Sequence, residues 1–404
     1  MKTILKIAWR NVWRNKLRST IVITSIVLGI WAALFMMAMV LGLNEQRLNG
    51  AINTYLSHLQ IHHPKFGEDQ NSKYFIENKE KIITALATNK DINAYSERMV
   101  IGAMAANSSG SYGVQILGIT PEKEKKITAI SEMLTEGTYF TKFKKRPVII
   151  GKKLADKLNL KIKSKVVITL QDIDGNIVAN SYRVEGIYKT SNSRLDGTTL
   201  FVRKADLETT IGLKGEIHEI AIVTKSLDIT SDIKISLSKQ AGNNKVETWA
   251  DVAPELGYAQ EMMSSFIYIF MGIVLIALAF SIINTMLMAV LERRRELGML
   301  MSIGMNKTRL AAMITSETVF ISMVATPIGM LLSYLTISYF EKYGIDLSAV
   351  AEGLESLGIG SRIYTFLPFD LYINITLMTL IVTLLSSIFP TKRALSLSPT
   401  EAVS

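Results

Sequence analysis

The chain has 404 residues, enough for two or three compact units, and its lack of cysteine excludes disulfides, thiolate metal sites and cysteine nucleophiles. Its formal net charge of +10 suggests nucleic acid only if the placement of the charges is ignored. Apolar residues make up 49% of the chain, and they are concentrated in four blocks separated by sequence of ordinary soluble-domain composition.

Residues 1–18 have the spacing of an amphipathic helix. Apolar side chains, among them Trp9 and Trp13, recur at helical intervals, and basic residues such as Lys6 and Arg10 fall on the other side. A basic helix with tryptophan on its apolar face lies in the headgroup layer of a membrane. The same charges fit a plain positive flank of a spanning helix, and the two interpretations are compatible.

Four blocks are long enough to cross a bilayer, whose hydrocarbon core needs about 20 apolar residues in a helix. They cover residues 19–43, 262–291, 310–340 and 371–391, and Glu317 interrupts the third. The first block is longer than the apolar region of a signal peptide, about 7–15 residues, and no small-x-small cleavage site follows it. We therefore predict that it is an uncleaved anchor.

The basic residues predict the orientation of these spans. They cluster in residues 1–18 before the first block, in residues 292–309 and in the tail 392–404, and positive residues in short loops mark the cytoplasmic side. Residues 341–370 carry more acidic than basic side chains. All four spans then agree on one topology, with both termini cytoplasmic and residues 44–261 and 341–370 outside.

Residues 44–261 are predicted to form a mixed α/β domain. Residues 58–62 alternate as a strand, and Val166 to Leu170 and Ile177 to Tyr188 are two β-rich runs joined by a turn that contains Asp174-Gly175. Helical spacing occurs at Lys79 to Thr88 and at Lys152 to Leu160. The fold class is therefore an α-helical membrane protein with four transmembrane helices and a mixed α/β extracytoplasmic domain inserted between the first and second.

A β-rich subdomain is predicted at about residues 135–213 inside this larger domain. Three of the four histidines, His58, His62 and His63, lie close together in the chain, but no cysteine or clearly placed carboxylate accompanies them. We therefore predict no metal site. No phosphate-binding loop, hydrolase elbow or metalloprotease motif is present, so no catalytic residue is assigned.

Glu317 lies about two turns into the third block, near its predicted cytoplasmic end. An ionisable residue inside a membrane is a functional candidate by default. We favour a structural or inter-helix role, in a pair with an arginine such as Arg309, over a place in a transport relay.

The cytoplasmic segment 292–309 is the most informative part of the chain. Leu297, Leu300, Met301 and Ile303 form a short apolar stripe that follows a run of acidic and basic residues. The apolar stripe of such a short helix must be buried against something, which is either a partner protein or the lipid headgroups.

The segment E-R-R-R-E-L-G-M-L-M-S-I-G-M resembles the coupling segment of the FtsX-like permease family of ABC transporters. Individually weaker matches are A-W-R-N at 8–11 with R-N-K at 14–16, N-E-Q at 44–46, H-L-Q-I-H at 58–62, V-I-I-G-K-K-L-A at 148–155, V-E-G-I at 184–187, P-T-K-R-A at 390–394 and P-T-E-A at 399–402. The macrolide-efflux branch carries its ATPase fused ahead of the first span, which 18 residues precede here, so the lipoprotein-release branch fits better.

The resemblance implies a dimeric permease without a nucleotide-binding domain of its own, in a bacterial inner membrane. ATP and magnesium would bind a separate ATPase chain, and this chain would need no cofactor. The further partners implied are a second permease chain, membrane lipid and a periplasmic lipoprotein chaperone or adaptor, with no nucleic acid. The residues carried over as ATPase-docking residues are Arg293, Arg294, Arg295, Glu296, Leu297, Gly298, Leu300 and Gly304.

The function implied is extraction of lipoproteins or similar hydrophobic cargo from the membrane, driven by the separate ATPase. Alternatives within the family are export of a peptide or antibiotic from the periplasmic side and ATP-driven control of a cell-wall hydrolase. A stand-alone receptor or scaffold is the alternative outside it.

Overall fold

The structure is a computed structural model that describes residues 2–14, 16–69, 72–141 and 145–395. In chain order its α-helices are α1 (Lys2–Arg14), α2 (Lys16–Ala51), α3 (Phe66–Asp69), α4 (Lys79–Thr88), α5 (Pro121–Glu124), α6 (Lys152–Lys157), α7 (Ser193–Thr198), α8 (Lys204–Ile211), α9 (Thr230–Ser238), α10 (Trp249–Val252), α11 (Pro254–Glu292), α12 (Arg294–Ser302), α13 (Lys307–Tyr343), α14 (Ala351–Ser356) and α15 (Phe369–Leu395). A π-helical turn at Ile52–Leu56 follows α2, and short 3-10 turns occur at Ala129–Ser131 and Ser348–Val350.

The strands are β1 (Leu59–His62), β2 (Ile92–Asn107), β3 (Gly110–Ile119), β4 (Leu134–Gly137), β5 (Pro147–Gly151), β6 (Lys165–Gln171), β7 (Ile177–Tyr188), β8 (Thr199–Arg203), β9 (Glu219–Thr224), β10 (Lys245–Thr248), β11 (Ile345–Asp346) and β12 (Arg362–Ile363). The chain divides into two compact units. A helical unit contains the described residues of Met1–Asn44, Glu261–Ile345 and Ile363–Ser404, and a mixed α/β unit contains those of Glu45–Gln260 and Asp346–Arg362.

Four helices among the described residues are long and apolar enough to cross a membrane: α2 with the turn that follows it, α11, α13 and α15. Each extends past the uncharged block from which it was predicted, because a helix continues through polar residues once it has left an apolar layer. α2 continues through Asn44 to Ala51, so the predicted end of the first span at residue 43 is not a helix end. Within the segment 1–18 that was predicted as one helix, the structure describes α1 up to Arg14 and α2 from Lys16, and residue 15 lies outside the described residues.

Small and hydroxyl-bearing side chains bring the long helices of the helical unit together. A Cβ built on Gly329 of α13 would lie 3.2 Å from both the Cβ of Ile30 and the carbonyl oxygen of Val27, so glycine permits the close approach of α13 to α2. The indole of Trp31 donates to the hydroxyl of Thr336 at 3.2 Å across the same pair of helices. Such hydrogen bonds add specificity where apolar surface alone does not choose a neighbour.

α11 is the least covered of the long helices. Only 17% of its most apolar window is buried inside the chain, against 44% for α2. Its exposed side chains include Phe266, Ile269 and Phe280. In a membrane, a helix that is apolar on every side can contact lipid or a second protein chain.

The mixed α/β unit is built around the long strand β2. Its first half, Ile92 to Arg98, pairs with β9, and its second half pairs with β3 on one side and β6 on the other. The sheet order is β10-β1-β9-β2-β3-β8-β5-β7-β4, with β6 also paired to β7. β2 therefore belongs to both parts of the sheet, and separate apolar cores form beside each part.

Several predicted elements can be compared with this sheet. The hairpin of β6 and β7 is confirmed, with Gly175 at a φ of 87°, and so is the helix α4. The predicted helix from Lys152 to Leu160 is shorter, since α6 ends at Lys157. The β-rich subdomain does not begin near residue 135, because β3 pairs in parallel with β8 and so joins the same core.

Candidate functional site

α12 is a short helix whose two ends have local causes. It ends at Ser302 because Gly304 follows with a φ of 97°, which favours glycine, and the amide of Gly304 donates to the carbonyl of Met301 at 3.0 Å. Asn306 then caps α13, since its side chain accepts from the amide of Thr308 at 3.2 Å. The predicted docking residue Gly304 therefore lies in the turn between the two helices.

One face of α12 is buried in the helical unit and the other is exposed. Leu297 is 2% exposed and Gly298 is buried, and Leu300 packs partly against the same core. Of the predicted docking set, Arg294 and Arg295 have exposed side chains. Leu297, assigned from the sequence to a docking contact, instead anchors α12 to its own chain.

The exposed face includes two apolar residues that the sequence analysis left out of the docking set. Met299 is 51% exposed and Ile303 is 85% exposed. Arg295 and Met299 are four residues apart and therefore share a helix face. That spacing was available in the sequence, but the predicted apolar stripe combined Ile303 with Leu297, Leu300 and Met301 and omitted Met299. We define the α12 surface as Arg294, Arg295, Met299 and Ile303.

Arg293 and Glu296, two further predicted docking residues, form ion pairs within the chain. Arg293 Nη1 lies 3.1 and 3.2 Å from the two carboxylate oxygens of Glu317, and its Nε lies 3.1 Å from Glu296 Oε2. Glu296 also accepts from Arg14 of α1. The hydrogen bond from Arg14 and the nearby charges outweigh the slight burial and lower the pKa of Glu296.

Glu317 is 5% exposed and its partner is Arg293 rather than the Arg309 expected from the sequence. Arg309 lies in the first turn of the same helix as Glu317, whereas Arg293 is the residue before α12. Asn11 of α1 also donates to Glu317 Oε1 at 2.6 Å. Glu317 therefore contacts side chains from outside its own helix, and its inter-helix role stays a prediction.

α1 packs on α13 through its apolar face. Ala8 and Val12 are buried, and the ring of Trp9 meets Phe320 edge-on with centroids 5.4 Å apart. Trp9 and Trp13 remain 43% exposed. The apolar face predicted for contact with headgroups is thus partly covered by the chain itself.

A second group of charges lies inside the mixed α/β unit. Arg98 is 1% exposed; its Nη2 lies 2.6 Å from Glu124 Oε1 and its Nη1 lies 2.5 Å from Glu219 Oε1. Glu219 pairs in turn with His62 at 3.3 Å, and His62 lies 3.5 Å from Glu247. A cavity of about 530 Å³, lined partly by Arg98 and Glu219, opens beside them. Because each charge has an opposite partner, the arrangement is suited to holding the strands together.

The histidines hold no metal-like arrangement. His58 Nδ1 lies 2.7 Å from the hydroxyl of Thr224, and His63 stacks on Tyr74. Among the described residues there is no group of three or more histidine, aspartate and glutamate side chains placed to bind a metal ion.

Replacing His62 with glutamine is expected to remove a pH dependence of the stability of the mixed α/β unit. Burial disfavours the imidazolium, but Glu219 and Glu247 outweigh it and raise the pKa of His62 from 6.5 to about 9. A raised folded-state pKa contributes stability that is fully present below about pH 6.5 and is lost as the pH rises through about 9. Calorimetry of the detergent-solubilised full chain measures the unfolding temperature across this pH range.

His58→Gln is the matched control for this change, because burial lowers the pKa of His58, the opposite direction to His62. The assignment fails if the unfolding temperatures of wild type and His62→Gln fall in parallel between pH 6.5 and pH 9.

Comparisons with known proteins identify the family. The family model described as MacB-like periplasmic core domain matches residues 19–238, more than half of the chain, and the model described as FtsX-like permease C-terminal matches residues 268–399. The chain belongs to the FtsX-like permease family of ABC transporters. It is thus an ABC permease subunit, and the segment that resembled the family's coupling segment is α12 with its flanking residues. Two quoted matches, Asn15 and P-T-E-A at 399–402, lie outside the described residues.

Relatives of this permease match over different shares of their length. The lipoprotein-releasing system transmembrane protein LolE of Haemophilus influenzae is 21% identical and covers 100% of both chains. LolC of Neisseria meningitidis is 20% identical over 94% of this chain and 92% of its own. An uncharacterised ABC transporter permease of Methanocaldococcus jannaschii is 24% identical over 67% of this chain. That match spans 65% of the archaeal protein.

Two solved structures resemble part of the permease. The extracellular domain of YknZ, a noncanonic ABC-type transporter from Gram-positive bacteria, is 20% identical, with a TM-score of 0.33 over 47% of this chain and 99% of that one. The periplasmic region of MacB from Actinobacillus actinomycetemcomitans is 12% identical, with a TM-score of 0.36 over 52% and 95%. TM-scores this low add nothing to the family assignment.

Proposed function

We propose that this permease couples ATP hydrolysis on a separate ATPase chain to extraction of lipoproteins, or of similarly lipid-anchored cargo, from the membrane. The observation that carries the proposal is the division of α12 into a buried face and the exposed α12 surface. An apolar residue flanked by arginines is the composition of a protein-binding patch. A helix that packs on its own chain through one face and is exposed on the other is suited to bind a partner and to transmit the partner's movement.

The topology proposed with this function follows from the charges. Both termini and residues 292–309 lie in the cytoplasm, where an ATPase is found, and residues 44–261 and 341–370 lie outside. ATP and magnesium then bind the partner chain. A second permease chain completes the transporter, and the largely exposed apolar surface of α11 is a candidate for that contact.

The cargo is proposed from the relatives. LolE and LolC are named as lipoprotein-releasing proteins and align along nearly the whole of this permease. Their identities of 20–21% support the cargo class rather than any particular lipoprotein.

Affinity purification of the tagged full chain in mild detergent, followed by mass spectrometry, tests the proposal. We expect an ATPase subunit in stoichiometric amount together with acylated proteins. An ATPase accompanied by a cell-wall hydrolase, or by an outer-membrane channel and its adaptor, would replace lipoprotein extraction by one of the alternatives. A chain that purifies without an ATPase after mild crosslinking would overturn the transporter assignment for this subunit.

A further inference from the structure

Five polar side chains of the helical unit form a series of contacts that begins and ends on α1. They come from α1, from α12 with the residue before it, and from α13: Asn11, Arg14, Arg293, Glu296 and Glu317. We call this set the charged ring. Asn11 contacts Glu317, Glu317 contacts Arg293, Arg293 contacts Glu296, and Glu296 contacts Arg14. Asn11 and Arg14 are three residues apart on α1, so that helix closes the ring.

We propose that Glu317 is the positioning residue of this ring, fixing α12 to α13 and α1 so that displacement of α12 moves the three helices together. The proposal rests on the function proposed above, because it concerns how a movement received at the α12 surface reaches a spanning helix. It assigns to the charged ring a role distinct from docking.

The burial of Glu317 explains why this residue fixes the positions of its partners in the ring. A carboxylate that is 5% exposed on an apolar spanning helix carries a desolvation penalty, which is offset only where hydrogen bonds and an opposite charge are held in place. Both of its oxygens are used, Oε1 by Asn11 and Arg293 and Oε2 by Arg293. Any rotation of α12 that withdraws Arg293 leaves a buried charge uncompensated, so the ring resists that rotation.

The size of α12 explains why it needs such a ring. It has nine residues, and an isolated helix of that length is unstable in water. Its apolar anchor is Leu297, which lies with Arg293 and Glu317 around a small cavity that Met286 and Met313 also line. The apolar contact fixes the depth of the helix, whereas the ring fixes its rotation and direction.

The ring also joins α1 to the same assembly. Asn11 and Arg14 both project from α1, and Trp9 packs on Phe320 one turn further along α13 than Glu317. Each of the three helices α1, α12 and α13 is joined to the other two, and this constrains their relative movement more than if one helix contacted only one other. We therefore infer that α1 moves with α12 when the ATPase acts.

The test replaces Glu317 with glutamine, which keeps the size of the side chain but removes its charge. Because the chain has no cysteine, Lys6→Cys on α1 and Ser302→Cys on α12 provide two spin-label positions on exposed residues. We expect one narrow distribution of the distance between the two labels when Glu317 is present. In Glu317→Gln we expect that distribution to broaden at least about twofold. Glu341→Gln, the same chemical change at an exposed position of α13, is the matched control and keeps the narrow distribution.

A second measurement uses the purified complex with its ATPase and asks whether ATP changes the segment 341–370. Val350→Cys places an exposed thiol in the segment 341–370. We expect ATP to change its labelling rate with a membrane-impermeant maleimide severalfold in the wild-type background and by less than about 1.5-fold in Glu317→Gln. If the wild-type background binds no ATPase, the proposed function fails, whereas the spin-label distances still report on the ring.

The double variant Arg293→Gln/Glu317→Gln separates positioning from simple stability. Removing both partners of a buried ion pair avoids the uncompensated charge, so the double variant regains wild-type unfolding behaviour. A positioning role requires that the distance distribution stay broad and the ATP response stay lost. Recovery of both in the double variant, or a narrow distribution in Glu317→Gln, would overturn the proposal.

Discussion

Reversing Arg294 and Arg295 together to glutamate is expected to abolish ATP-driven work by the transporter. Both side chains are exposed on the α12 surface, and neither belongs to the charged ring that holds α12 in place. Two positive charges become two negative ones at the proposed contact with an ATPase, and reversing the charge complementarity of an interface costs several kcal/mol. The expected result is loss of stoichiometric ATPase from the purified permease, with a fall in ATP-coupled activity of about 100-fold or more.

The control for this variant is Lys307→Glu/Arg309→Glu. Both residues are exposed, lie in the same predicted cytoplasmic segment 292–309 and undergo the same change of charge. Any effect of the reversal on membrane orientation is therefore common to the two double variants. Equal retention of the ATPase by both variants would show that the α12 surface is not the docking site.

Replacing Arg98 with methionine is expected to destabilise the mixed α/β unit strongly. Glu124 and Glu219 would keep their buried negative charges without the guanidinium that lies between them, and breaking a buried pair in this way costs about 3–5 kcal/mol. Of these two carboxylates, His62 contacts only Glu219, because the contacts of Glu124 are with Arg98, Ser96 and Thr128.

Hydrogen exchange of the full-length permease measures this loss. Amides of β2 and β9 should exchange on the order of 10²- to 10³-fold faster in Arg98→Met than in the wild type. The control is Lys152→Met, which breaks exposed contacts with Glu136 and Asp156 that contribute little to stability because solvent screens them. If β2 and β9 exchange at the wild-type rate in Arg98→Met, the buried charges do not hold the strands together.

The part of the fold that sequence reasoning predicted well depends on local chemistry. An uncharged run of about 20 residues has few stable forms other than a spanning helix, and the described residues contain four such helices where four were expected. The hairpin of β6 and β7 depends on its own turn, where Gly175 supplies the positive φ.

The limits of the inserted subdomain could not be predicted in this way. β3 reaches β8 across about 80 residues of intervening chain, and β2 changes partners from β9 to β3 and β6 along its length. No local pattern encodes such a change, since each strand has the same alternation whichever neighbour it pairs with.

The candidate site, like the fold, could be predicted from the sequence only in part. The sequence alone predicted an amphipathic, charge-rich segment between two spans at residues 292–309, and an ionisable Glu317 near the end of a span that an arginine could pair with, because periodicity and the cost of an intramembrane charge are properties of the chain. The packing of the helical unit determines which side of α12 is exposed, since Leu297 is buried while Met299 and Ile303 are exposed, and it determines which cation pairs with Glu317. Arg293 and Glu317 are separated by a turn and two helix starts, so their meeting depends on how α12 and α13 pack, and packing is decided by the whole unit rather than by any segment of it.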